Sequence, residues 1–217
     1  MPDFSLEREL GHDKGRIVIG LDEAGRGPWA GPVVAAAAWL DPAALDAALA
    51  EGLDDSKKLS AKRRSDLFAI LSDPACACAR IAVGEASVEE IDRLNILQAS
   101  LLAMQRAATA LAAALDSAPE AALVDGNKLP QLACEARAVI KGDSRSLSIA
   151  AASVVAKVTR DRAMAALARD YPGYGWERNQ GYGTAEHRAG LARLGVTPLH
   201  RRSFRPIRDA LESKSLT

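Results

Sequence analysis

Four carboxylates in this 217-residue chain stand where chemistry could be done. Asp22 and Glu23 adjoin at the end of the apolar run Arg16-Ile17-Val18-Ile19-Gly20-Leu21. Asp125 closes the run 121–124, and Asp143 follows the run 136–140. Each run is short, continuous and bounded by polar or Gly-rich sequence, which reads as a buried strand. Strands paired in one sheet set the residues at their ends along one edge, where α/β proteins keep their ligands. If the four acids converge, they cannot all ionise without a cation, and a hard divalent metal with oxygen ligands is the natural counter-charge. Two such metals about 3.5–4 Å apart clamp the attacking and leaving oxygens of a phosphoryl displacement. Taken singly, each acid is as readily a turn residue or a helix cap. The adjacent pair Asp22-Glu23 is harder to assign that way, because neighbouring acids repel unless something pairs with them.

Gly25-Arg26-Gly27 follows at once, and Gly31 completes a loose Gly-rich loop. It is not a dinucleotide fingerprint, since the spacing departs from G-x-G-x-x-G and Pro28 and Pro32 lead into a further apolar run, not a helix. No Walker A sequence occurs. The loop is either a bare turn or a place where the backbone approaches a substrate closely.

The elements that must position these residues can be read along the chain. Residues 32–40 form a second strand, and Asp41-Pro42 reads as a helix start. Ser60 opens a helix to about Ser72, and 80–83 is a short strand. Ser87-Val88-Glu89-Glu90 matches a capping box and begins a helical region reaching about Leu115. The stretch 147–170 lacks Gly and Pro and predicts a long helix, which Pro172-Gly173-Tyr174-Gly175 ends. A glycine-containing loop and a partly helical, Arg-rich tail follow. The expectation is one domain: a mixed-sheet α/β core over about 15–170, with a C-terminal loop and helical extension over about 171–217.

Composition narrows the class. No apolar run approaches the roughly 20 residues of a membrane span. The first 16 residues resemble neither a signal nor a transit peptide, so the expected compartment is the cytoplasm. Three cysteines (Cys76, Cys78, Cys134) make neither a disulfide framework nor a structural zinc pattern. Alanine is abundant and Phe, Trp and Tyr number three each, so the core is expected to be aliphatic.

Formal net charge is zero, with 28 basic and 28 acidic residues. Its distribution is uneven. Residues 57–64 hold five basic residues (Lys57, Lys58, Lys62, Arg63, Arg64) and no acid. Residues 187–208 hold six arginines (Arg188, Arg193, Arg201, Arg202, Arg205, Arg208) and no acid. Two basic arms either side of an acidic centre suit a polyanionic duplex, with salt-sensitive binding.

Five motifs in order then carry a family resemblance. Gly20-Leu21-Asp22-Glu23-Ala24-Gly25-Arg26-Gly27-Pro28 with Ala30-Gly31-Pro32-Val33 resembles the opening motif of ribonuclease HII, a type 2 RNase H family. Asp55-Ser56-Lys57-Lys58-Leu59, Asp125-Gly126-Asn127, and Lys141-Gly142-Asp143 with Ser148–Ser153 and Ala156–Asp161 resemble the next three. Gly181-Tyr182-Gly183-Thr184 with His187 resembles the fifth. The match runs from about Arg16 to about Pro206, with no departure at a motif position.

The resemblance implies an RNase H-like mixed sheet flanked by helices. It implies an endonuclease cutting the RNA strand of RNA–DNA hybrids, and cutting at single ribonucleotides in duplex DNA, leaving a 5′-phosphate and a 3′-hydroxyl. By the same resemblance Asp22, Glu23, Asp125 and Asp143 are the catalytic, metal-binding acids and Mg²⁺ or Mn²⁺ the cofactor. Gly25, Arg26 and Gly27 would read the ribose 2′-hydroxyl largely through backbone groups, with the Arg26 side chain undecided. Tyr182 would lie against the next sugar. Ser56, Lys57 and Lys58 would contact phosphate or sit in a solvated loop. Lys157 and Arg160, three apart on one helix face, would meet phosphate or solvent. The chain is expected to act as a monomer. Two rivals stay open: a non-catalytic hybrid-binding module, and another nuclease of the same fold.

Overall fold

The computed structural model describes residues 1–115 and 117–214, with side-chain detail to residue 212. Residues 215–217 of the expected C-terminal extension lie outside the described residues. Five strands form one sheet in the order β3-β2-β1-β4-β5. They are β1 (Val18–Ala24), β2 (Val33–Leu40), β3 (Ala79–Ala86), β4 (Ala121–Asp125) and β5 (Glu135–Val139). β1, β2 and β3 run as an antiparallel meander, while β1, β4 and β5 are parallel. The sheet is therefore mixed, as expected.

Period-two alternation sorts β1 between two helical layers. Ile19 and Leu21 join α5 (Ile96–Ala114) in one buried cluster. Gly20 and Asp22 face the other way, toward α6 (Leu147–Asp170). A Cβ at Gly20 would fall 2.2 Å from the Ser148 carbonyl carbon, so only glycine lets the helix start seat on the strand. Small side chains do the same along the layer: Ala36 and Ala38 of β2 pack in one cluster with Ala150, Ala151 and Ala152 of α6. The aliphatic core is thus a close-approach core, in which backbones come together because little side chain separates them. α3 (Ala61–Leu71), capped by Ser60, adds Leu67 and Leu71 to this side, and α2 (Ala47–Gly52) adds Leu49.

Several elements differ from the sequence reading. The helix expected at Asp41-Pro42 starts instead at Ala47 behind Asp46, whose side chain accepts from the Ala48 N–H. Asp41 accepts from the Ala43 N–H and makes a turn, a use that competes with capping. The long helix after Ser87 is two helices, α4 (Val88–Leu94) and α5, broken at Asn95 with φ 70°. Asn tolerates that backbone, and its side chain caps α5 through the Leu97 and Gln98 N–H groups. The Ser87–Glu90 capping box forms as expected.

The N-terminal polar stretch contains a short helix, α1 (Ser5–Glu9), not anticipated from sequence. Its Leu6 and the following Leu10 are buried against Val18, Leu123 and Ile149. Glu7 is fully buried and its Oε1 accepts from the Ser146 and Ser148 hydroxyls and the Ser148 N–H, at the start of α6.

Beyond α6, the helices α7 (Trp176–Asn179), α8 (Ala185–Leu194) and α9 (Arg205–Lys214) gather around Trp176, Tyr174, Leu191 and Ile207. That cluster includes Ala30 and Met164 of the core, so the extension is packed onto the Gly-rich loop. No helix of the described residues is long and apolar enough to cross a membrane.

Candidate active site

Strand register brings the acids together. Leu21 lies beside Val124 in the parallel β1–β4 pair, so Asp22 and Asp125 come next on neighbouring strands and on the same face. Asp143 sits in a 3₁₀ turn (Gly142–Ser144) between β5 and α6. That turn is tied to β4, because Asp125 Oδ1 accepts from the Gly142 N–H at 2.7 Å. Glu23, one residue on, takes the opposite face by parity and lines a shallow recess with Leu97, Ser100 and Asn127.

The electrostatics record this crowding. Burial pushes the Asp22 carboxyl well above its usual range, and Glu23 and Asp125 push it further. Asp143 rises to about 6, from burial and then from Asp55 and Asp125. Glu23 is raised by burial, with Arg26 working against the rise. Lys57 loses charge stability by burial but is held up overall by Asp22, Asp55, Asp143 and Asp125. Asp55 is thus a fifth acid at this mouth, carried in the second motif but not singled out from sequence.

The donor set is hard oxygen, short of cations and mutually repelling, which fits a divalent cation such as Mg²⁺ or Mn²⁺. Among the described residues no three Asp, Glu, His or Cys side chains already stand close enough together to hold an ion. Their oxygens are engaged elsewhere: Asp22 Oδ1 accepts from the Glu23 N–H at 2.6 Å, and Glu23 Oε1 from Arg26 Nη1 at 3.3 Å.

A cleft of about 270 Å³ opens beside Asp22 and Glu23, lined also by Gly25–Gly27, Ser56, Lys57 and Tyr182. Most expected site residues meet here. Ser56 is buried and accepts from the Ser153 hydroxyl at 2.8 Å, so it fixes the second motif to α6. Lys58 is turned to Asp54 at 3.0 Å and does not line the cleft. Tyr182 is 48% exposed and stands over Gly27, where a Cβ would meet its ring at 3.2 Å. A larger cavity, about 480 Å³, opens between α5 and the segment before β5, and none of the four carboxylates lines it.

Arg160 and Arg201 correct the sequence reading. Arg160 does not face solvent: it is 2% exposed, lies in the wall of the cleft and donates to the carbonyls of Ala30, Pro32 and Gln180. Arg201, counted in a basic arm, is fully buried and donates to the carbonyls of Gly25, Arg26, Pro28, Gly31 and Pro32. The Arg201 N–H takes the Trp29 carbonyl at 2.8 Å. Of the eight carbonyls from Gly25 to Pro32, among the described residues only that of Gly27 accepts no hydrogen bond. The Arg26 and Gly27 N–H groups likewise have no protein acceptor. The basic arms shrink further, since Arg64 donates to the Ser56 and Leu59 carbonyls, and Lys62 and Arg205 pair with Asp66 and Asp209. His187 and His200 are buried against Trp176 and each other, and burial lowers both, His200 to about 3. They are neutral packing groups at neutral pH.

Comparison with known proteins follows the same line. The Ribonuclease HII family profile matches residues 19–207. The chain is 60% identical over 217 residues to a ribonuclease HII of Rhodospirillum rubrum, spanning 100% of this chain and 94% of that relative. Its structure is similar to ribonuclease H2 from Pyrococcus horikoshii OT3, with TM-score 0.71 and 26% identity over 92% of this chain and 99% of that one. It shares its fold with Bst ribonuclease HIII, solved in complex with Mn²⁺, at TM-score 0.71 and 22% identity over 93% and 71% of the two chains.

Proposed function

The chain belongs to the ribonuclease HII family and is a ribonuclease H, and from that premise we propose that it is a metal-dependent endonuclease that cuts 5′ of single ribonucleotides embedded in duplex DNA. It also cuts the RNA strand of RNA–DNA hybrids, leaving a 5′-phosphate and a 3′-hydroxyl. The observation that supports this most is the open backbone at the cleft. The Arg26 and Gly27 N–H groups and the Gly27 carbonyl offer donors and an acceptor beside Asp22 and Glu23. A 2′-hydroxyl is both donor and acceptor, and it is the group that separates RNA from DNA.

Asp22, Glu23, Asp125 and Asp143 would hold Mg²⁺ or Mn²⁺. Bound there, the cation would supply Lewis-acid activation of water and neutralise charge developing on the scissile phosphate. Asp22 and Asp143 must be ionised to ligate, so protons leave these raised carboxyls as the site loads. Lys57, facing the acids, places a positive charge where a phosphate enters. Tyr182, over Gly27, supplies an apolar face against the next sugar and orients the strand. The protein acts in the cytoplasm as a monomer.

Cleavage of a duplex with one embedded ribonucleotide, mapped at both ends, tests the reading. The expected result is a single cut 5′ of the ribonucleotide that needs Mg²⁺ or Mn²⁺ and disappears in Asp125→Asn. Binding without cleavage at saturating metal would favour a non-catalytic module. Equal cutting of the all-deoxy duplex would favour another nuclease.

A further inference from the structure

Two buried guanidinium groups lie under the loop that faces the ribose, and neither has an acid bonded to it. Among the described residues no carboxylate lies within ion-pair distance of Arg160 or Arg201. Asp161 and Asp92 act on them only from farther off, Asp161 being paired with Lys157 and Asp92 taken by the Arg202 and Ser203 N–H groups. Burying a cation without an anion is costly, and here the compensation is a ring of backbone carbonyls. Arg201 takes five side-chain acceptors and Arg160 three, Pro32 being shared. A pure packing role would not call for two charges at such a place, where an aliphatic side chain would fill the volume without a desolvation cost.

The consequence for the loop is directional. A peptide whose carbonyl is drawn to one side presents its neighbouring N–H groups to the other. With seven of eight carbonyls engaged, the Gly27 carbonyl and the Gly25, Arg26, Gly27 and Ala30 N–H groups are what remain among the described residues, and of these Gly25, Arg26 and Gly27 line the cleft. Arg160 reaches its carbonyls by passing beneath Gly25, where a Cβ would fall 1.9 Å from Nε. It also holds the Gln180 carbonyl, two residues before Tyr182. Arg201 ends the stretch 199–201 that bridges the loop from the C-terminal extension, through the Gly31 N–H to Leu199 carbonyl bond, the Ala30–His200 bridge and the Arg201 N–H to Trp29 carbonyl bond.

We propose that Arg160 and Arg201 are specificity-positioning residues. They hold the carbonyls of Gly25–Pro32 away from the cleft, fix the free amides and the Gly27 carbonyl at the 2′-hydroxyl, and set Tyr182 over them. This rests on the ribonucleotide reading above and adds which side chains make the reading loop rigid. Only a planar fork with five donors fits this role, so lysine is not an equivalent replacement.

The test uses Arg201→Lys and Arg160→Lys, each in the full chain. In an Asp125→Asn background, anisotropy gives the binding preference for a duplex with one ribonucleotide over the same all-deoxy duplex. With Asp125 restored, single-turnover cleavage gives the rate on the bound substrate. The expected result is folded variants, by circular dichroism, whose preference drops about tenfold or more and whose cleavage rate drops at least as far. All-deoxy binding should stay within about threefold of wild type. A ratio taken on folded molecules is not moved by a loss of stability alone. Should Arg201→Lys not fold, Arg160→Lys decides, since it gives up three acceptors and not five. Folded variants that keep the wild-type preference and rate would overturn the inference while leaving the functional reading intact. A wild-type chain with no preference would overturn both.

Discussion

The acidic mouth and the arginine-braced loop sit side by side and solve the same problem in opposite ways. Both bury charge of one sign. At the mouth Asp22, Glu23 and Asp143 have their proton affinity raised, by burial first and then by neighbouring carboxylates, and the oxygens find only a few donors, among them nearby backbone N–H groups and Arg26. In the loop Arg160 and Arg201 are drawn down to about 10 and about 9, by burial first, yet their donors are met by carbonyls. The first region sets carboxyls against one another, whereas the second meets its charge with carbonyls on every side. Binding energy is available where charge is uncompensated, and geometric discrimination is available where it is fully compensated.

The largest expected effect breaks the acidic side. Asp22→Asn should lower cleavage by about 10³-fold or more, since one ligand and one negative charge are lost together. The metal-free protein should melt at the same temperature or higher, because the substitution relieves burial of a charge beside two others. A fall in melting temperature would mean that Asp22 is satisfied in the fold, as the arginines are.

The pH dependence sharpens the contrast. A carboxyl raised in the folded state binds protons more tightly there than in the unfolded chain. It therefore favours folding below the unfolded value and loses that contribution as pH rises through the folded value. For Asp143 the window runs from about 4 to about 6. Metal-free protein should lose stability across that window as pH rises, and Mg²⁺ or Mn²⁺ should restore it. Cleavage should fall as pH drops below about 6, where Asp143 takes its proton. Denaturant melts at several pH values, with and without metal, would show either this divergence or its absence.

On the loop side, Gly25→Ala should destabilise by about 2–4 kcal/mol. The residue has φ 101° and its added methyl meets the Arg160 side chain. Activity should be lost with it, and a chemical melt gives the magnitude. A smaller effect is expected at a third buried charge. Glu7→Ala leaves the Ser146 and Ser148 donors short of an acceptor and should cost about 1–3 kcal/mol, readable in the same melt, with little change in the ribonucleotide preference.

The acidic site was legible from sequence because its grammar is local. An apolar run followed by Asp-Glu, and two more runs ending at Asp, place acids at strand ends whatever the partners are. The mixed sheet, the Ser60 and Ser87 caps and the 147–170 helix followed from periodicity and punctuation in the same way. At Asp41 and Asn95 the fold departs from periodicity because a side chain has two backbone uses of similar energy. The place of Glu7 is not legible, because a short polar segment carries no period long enough to read.

What the sequence determined by itself is therefore the placement of the acids: Asp22 and Glu23 at the end of β1, Asp125 at the end of β4 and Asp143 just past β5, with a Gly-rich loop beside them. What only the tertiary structure decided is which charges face the substrate and which are interior. Arg201 reads as one more cation in a basic run, and Arg160 as the neighbour of Lys157 on a helix. Both are buried, because their acceptors are carbonyls that come together only when residues 25–32, α6 and the C-terminal extension are packed against one another. A carbonyl leaves no mark in the sequence, since every residue has one.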